Sequence, residues 1–240
     1  GGNTTGANNV AVGRSALVAN TTASSNTAVG TSALASATTG NNNNAFGISA
    51  LSSNITGTNN CAFGSSSLAA NTAGDNSAFG DASLLSNTTG TFNTGIGRSA
   101  LRFNTTASYN TAVGHQAGYS NTTGANNTFL GGLTAYGNTT GDRNVALGMQ
   151  ANDGAGVDAA LYANTTGNQN TAVGVGALAL SSTGSGNSAV GYKALYANTT
   201  GSQNTALGQV ALQANTTASN NTAVGYQAGY TQAGAGGNNV

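Results

Sequence analysis

The chain has 240 residues, a formal net charge of zero, only ten charged side chains, 37 glycines, and no glutamate, proline or tryptophan. This balance offers no basic stripe for nucleic acid and no apolar run long enough to cross a bilayer. It also lacks the net charge and proline that usually sustain disorder, and its one cysteine, Cys61, excludes an internal disulfide.

A pentapeptide recurs along the chain, as Asn26-Thr27-Ala28-Val29-Gly30, Asn110-Thr111-Ala112-Val113-Gly114, Asn170-Thr171-Ala172-Val173-Gly174 and Asn221-Thr222-Ala223-Val224-Gly225. Its closing glycine marks a series: Gly13, Gly30, Gly47, Gly64, Gly80, Gly97, Gly114, Gly131, Gly148, Gly174, Gly191, Gly208, Gly225. The spacing is 17 residues except for one interval of 16 (64 to 80) and one of 26 (148 to 174). A fixed period of this length predicts an all-β parallel solenoid, or β-roll, of about thirteen coils.

Counted from the asparagine, one coil reads Asn-Thr-Ala-Val-Gly-x-x-Ala-Leu-x-x-Asn-Thr-Thr-Gly-x-x. Two apolar pairs between turn signals predict two short strands per coil, because four or five residues are too few for a helix. The corner glycine is expected at positive φ. The twelfth-position asparagine is expected to cap the second corner and to bond to its copies in neighbouring coils, as asparagine ladders do. Strand spacing then gives a rod of about 62 Å.

The fourth position is large and apolar throughout: Val12, Val29, Phe46, Phe63, Phe79, Ile96, Val113, Leu130, Leu147, Val173, Val190, Leu207 and Val224. Neighbouring strand residues point opposite ways. The expected core is therefore this row packed on the ninth-position leucines, with the alanine row covered by another copy of the chain. Cys61, at a position usually held by threonine, is expected to be a small, at least half-buried substituent.

Three irregularities stand out. A residue is missing near Gly74-Asp75-Asn76. Residues 151–159 form an extra surface loop whose Asp153 and Asp158 make it a candidate ligand-contacting protrusion, though two carboxylates fall short of a calcium site. At Gly118-Tyr119 and Gly229-Tyr230 glycine replaces leucine, so the tyrosines are expected either to enter the vacated space or to form an exposed aromatic patch for sugar.

These tandem Asn-Thr-Ala-Val-Gly, Ser-Ala-Leu and Asn-Thr-Thr-Gly units resemble the head repeats of trimeric autotransporter adhesins, and similar repeats occur in phage tail fibres. The resemblance spans the chain and implies a homotrimer of left-handed parallel β-rolls serving adhesion or display on a cell or virion surface, with a host glycan or protein as receptor. The period is longer than in the best-known heads, and no anchor, stalk or chaperone segment is evident. Both ends fall inside a repeat, which leads to the expectation of an uncapped piece of a longer fibre or an end-to-end filament. Rows of threonine make an ice-binding solenoid a further alternative.

Catalysis is not expected. His115 is the only histidine and no nucleophile elbow accompanies it. No phosphate-binding loop occurs, Gly174-Val175-Gly176 reads as a repeat corner, and no cofactor or metal site is indicated. The Asn-x-Thr triplets at Asn20, Asn87, Asn104, Asn138 and Asn198 would be glycan acceptors in a eukaryotic secreted protein and read as corner residues in a bacterial or phage fibre.

Overall fold

The computed structural model describes residues 2–150 and 159–231, and the chain divides into two compact units, Gly1–Asn110 and Thr111–Val240. The first unit holds β1 (Val10–Val12), β2 (Thr27–Val29), β3 (Asn44–Phe46), β4 (Cys61–Phe63), β5 (Ser77–Phe79) and β6 (Thr94–Ile96). The second holds β7 (Thr111–Val113), β8 (Thr128–Leu130), β9 (Val145–Leu147), β10 (Thr171–Val173), β11 (Ser188–Val190), β12 (Thr205–Leu207) and β13 (Thr222–Val224). Within each unit successive strands pair in parallel, position for position, Ala28 lying beside Ala45 and Ala172 beside Ala189. Each unit is a β-solenoid of 17-residue turns.

The intervals of 26 and 16 leave the register intact. Ala146 still pairs with Ala172, and Ala62 with Ala78. The missing residue falls one step earlier than the sequence suggested. The Ala73 carbonyl accepts from Asn60 Nδ2 and Asn71 Nδ2, a role held one coil earlier by the Gly57 carbonyl. The shortening therefore lies between Asn71 and Ala73.

Among the described residues each coil has one strand, where two were expected. The Ser-Ala-Leu segment is a run of tight turns. Its seventh and ninth residues both take the left-handed conformation, as at Ser32 (φ 59) and Leu34 (φ 49). Bonds spanning three residues, Ala33 N–H to Gly30 O and Ala37 N–H to Leu34 O, close the turns. A left-handed leucine costs about 1–2 kcal/mol, whereas burying its side chain gains about 1.5–3 kcal/mol. Burial wins, because Leu34, Leu51, Leu68, Leu84 and Leu101 are fully enclosed.

The ninth-position leucines are in the core as expected, but the strand's contribution to it is the reverse of the expected one. Third-position alanines such as Ala28, Ala45, Ala62 and Ala172 are buried. The large fourth-position residues lie on the outside, half-buried or exposed: Val29, Phe46, Phe63, Phe79 and Ile96 in the first unit, and Val113, Leu130, Leu147, Val173, Val190, Leu207 and Val224 in the second. The interior is narrow and already holds the ninth-position leucine and two asparagines per coil. Where that leucine is present, only a methyl group fits from the strand.

Those asparagines form two buried ladders. In the first-position row each backbone N–H donates to the carboxamide oxygen one coil back, as in Asn26 to Asn9 Oδ1 (2.9 Å) and Asn43 to Asn26 Oδ1 (2.8 Å). In the twelfth-position row the carboxamides bond to one another, Asn87 Nδ2 to Asn71 Oδ1 (2.7 Å) and Asn104 Nδ2 to Asn87 Oδ1 (2.8 Å). Both rows converge on one carbonyl per coil, Gly57 O accepting from Asn43 Nδ2 and Asn54 Nδ2. The cap expected at the second corner is therefore present, joined by a second asparagine that closes the coil on itself.

The ladder breaks at Asn54, where the shortened coil follows, and wherever a smaller residue takes the twelfth position. Ala37 follows Asn20, and Ser181 follows Asn164, leaving Asn20 Oδ1, Asn164 Oδ1 and Ser181 Oγ buried without a protein partner. Replacing Ala37 with asparagine supplies a donor to Asn20 Oδ1 and is expected to stabilise the first unit by about 1 kcal/mol. Urea denaturation checks this, and a lower midpoint would show that the gap is too tight for the added carboxamide.

Candidate functional site

Since the second and fourth positions of a three-residue strand share a side, each unit presents one outer sheet face built of two rows. In the first unit the fourth-position row runs Val12, Val29, Phe46, Phe63, Phe79, Ile96, and the second-position row runs Val10, Thr27, Asn44, Cys61, Ser77, Thr94. No charged side chain stands in either row. In the second unit the rows are Val113 to Val224 and Thr111 to Thr222, again uncharged. The apolar row is open in places, Val12 being 56% exposed and Val224 65%.

Aromatic rings stack along the surface because equivalent positions recur one strand spacing apart. Phe46 and Phe63 lie 4.5 Å apart between centroids, and Phe63 and Phe79 5.1 Å. Phe92 stacks on Tyr109. In the second unit Tyr119 stacks on Tyr136 at 4.9 Å, and Tyr136 on Tyr162 at 5.5 Å. Tyr119 is half-buried in that stack, its ring face laid on its neighbour, so neither sequence-level alternative describes it. The vacated interior is filled by Phe129, fully buried at a third position. Tyr230 is 43% exposed.

Asp153 and Asp158 lie outside the described residues. Among the described residues no three of His, Cys, Asp and Glu gather as a metal site would require, and no helix is long and apolar enough to cross a membrane. His115, beside the corner glycine Gly114, is exposed. Cationic groups lie over rings at Arg102–Phe103 (5.8 Å) and Lys193–Tyr192 (5.3 Å). A cavity of about 290 Å³ at the first coil is lined by Asn3, Asn9, Ala11, Ala16, Leu17 and Asn20, none of them titratable.

The corner glycines carry the positive φ the repeat predicted: Gly13, Gly30, Gly47, Gly64 and Gly97 in the first unit, and Gly114, Gly131, Gly148, Gly174, Gly191, Gly208 and Gly225 in the second, between 121 and 147°. The Asn-x-Thr asparagines at Asn20, Asn87, Asn104, Asn138 and Asn198 are all buried in the ladder, where a glycan on the amide would break the coil.

Cys61 is half-buried on the outer face, and burial pushes its thiol pKa up. The neutral thiol is favoured by folding. This increment of stability is present below the ordinary thiol pKa and is lost as pH rises through the folded value. Alkylation of the native chain should accordingly set in at higher pH than for the unfolded chain, measured as rate against pH.

No protein-family model, curated protein or solved structure matches the chain.

Proposed function

We propose that the chain is a structural and adhesive segment of an extracellular fibre, of the kind built by trimeric adhesin heads and phage tail fibres, in which three copies associate through the outer sheet face. The observation that carries this reading is the row of large apolar side chains on that face. A sheet face turned to water alternates to polar residues, whereas this one holds Val, Ile, Leu or Phe at the fourth position of all thirteen described strands. Contiguous apolar surface of this kind marks association. The remaining surface, rich in asparagine and threonine, is the part available to a host glycan or protein, and catalysis has no role.

Native mass spectrometry at micromolar concentration is expected to give three copies. Val173→Lys places a charge in the apolar row without entering the core, so it should dissociate the assembly and leave the circular dichroism unchanged. A wild-type chain that stays single at every concentration overturns the reading.

Ice binding is a second reading, favoured by one feature of the second unit. Thr111, Thr128, Thr171, Thr205 and Thr222 each stand two residues before a Val or Leu on the same outward face, on strands paired in register. Thermal hysteresis by a single-copy chain would put this reading first.

A further inference from the structure

The apolar row of the first unit is not uniform. Three consecutive strands, β3, β4 and β5, carry phenylalanine, while β1 and β2 carry valine and β6 isoleucine. The three rings are stacked face to face at 4.5 and 5.1 Å, with planes within 10° of parallel. They form one stacked row of rings, larger than the side chains on either side. Phe79 is 39% exposed, and none of the three is buried.

A strictly repeating face has a difficulty that this stack addresses. Copies whose faces repeat at every coil match nearly as well after slipping by one coil, because equivalent side chains recur at about 4.8 Å. Register is weakly specified wherever the pattern is uniform. A feature that breaks the repeat is needed to select one alignment.

We infer that the Phe46–Phe63–Phe79 stack is the register key of the association, a site on the outer face that recognises the same stack on another copy of this chain. The inference rests on the proposed association of copies through that face. A second copy is the fitting occupant on two grounds. The face carries no charge to pair with an acidic or basic partner, the bordering charges Arg14, Asp81 and Arg98 standing at the sixth position beyond the corner glycine. Its rows also advance by one strand spacing, which only a partner of the same period follows over six coils. With the copies level, phenylalanine faces phenylalanine in all three coils. A slip of one coil sets a ring against valine at one end and isoleucine at the other, leaving a gap and losing a ring contact. The key is centred on Phe63 and fixes the axial level there.

The test places a nitroxide through Thr56→Cys, on an exposed position away from the face, in a Cys61→Ala background, and measures distances between copies by pulsed dipolar spectroscopy. One narrow distance is expected with the native row. Phe46→Val/Phe63→Val/Phe79→Val should keep the fold, since no ring is in the core, and broaden the distribution toward longer distances, each axial slip of about 4.8 Å adding in quadrature to the separation between copies. A second variant, Val29→Phe/Phe79→Val, moves the key one coil along. Alone it should give one narrow distance, and co-expressed with the native row it should give a component offset by one coil. An unchanged narrow distance in the triple variant, or no offset in the mixed assembly, overturns the register key while leaving the association standing. A single-copy mass with no dipolar coupling in the chain with the native row overturns the association itself.

Discussion

Gly47→Ala is expected to destabilise the first unit by roughly 3–5 kcal/mol, combining an unfavourable backbone region with forced overpacking. Gly47 has φ +138°, and a Cβ built on it would meet the Gly64 carbonyl oxygen at 2.4 Å and its carbon at 2.6 Å. Those atoms belong to the backbone of the next corner, so no side-chain rotation relieves the collision. The coils would have to separate, and the ladder bonds on either side would lengthen with them. Two controls divide the effect. Gly225 has a comparable φ of +126° with no atom within 4 Å among the described residues, so Gly225→Ala should show the conformational cost alone. At Gly132 the nearest atom is the His115 carbonyl oxygen at 3.8 Å, and no positive φ applies, so Gly132→Ala should be close to neutral. Thermal unfolding should rank the three losses in that order. A Gly47→Ala loss no larger than that of Gly225→Ala would show that the coils stack less tightly than the corner geometry requires.

The period, the corner glycines and the asparagine ladder were legible because each depends on one residue type meeting its own copy in the next coil. That relation survives any error about which side faces inward. The direction of the strand was not legible. Ala28 and Val29 are neighbours and both apolar, and alternation alone says only that they point apart. The interior is set by the segments opposite, and these contribute more than a strand would. Ala33 and Leu34 are consecutive and both fully buried, whereas consecutive residues of a strand point to opposite faces. The left-handed turn at Leu34 brings both side chains inward, and no turn residue announces it, since leucine is among the last residues expected at positive φ. With that leucine and two asparagines inside, valine has no room and faces out. The outer aromatic stacks were missed for a related reason. Phe46, Phe63 and Phe79 were visible as a run at one position, but the expectation that they formed the core hid their value as surface.

Phe129→Ala should cost the second unit about 3–5 kcal/mol, the range for removing a buried aromatic side chain. Phe129 is fully buried at a third position, where the other coils of this unit have alanine. The exchange is compensated within the interior. In the same coil Ala135 replaces the ninth-position leucine, keeping its left-handed conformation at φ 48, and in the preceding coil Gly118 occupies the equivalent place at φ 59. One large ring thus fills space that two leucines vacate, and a methyl group at position 129 would leave much of it empty. The compensation makes a sharper test than the single variant. Phe129→Ala/Ala135→Leu restores the common arrangement of this coil and should recover most of the loss. Ala135→Leu alone should destabilise by overpacking, about 1–3 kcal/mol. The two changes are therefore strongly non-additive, as expected for residues sharing one volume. Additive losses in a double-mutant cycle, read from urea midpoints, would show that residues 129 and 135 do not compete for the same space, and that the ring fills the space left by Gly118 in the preceding coil instead.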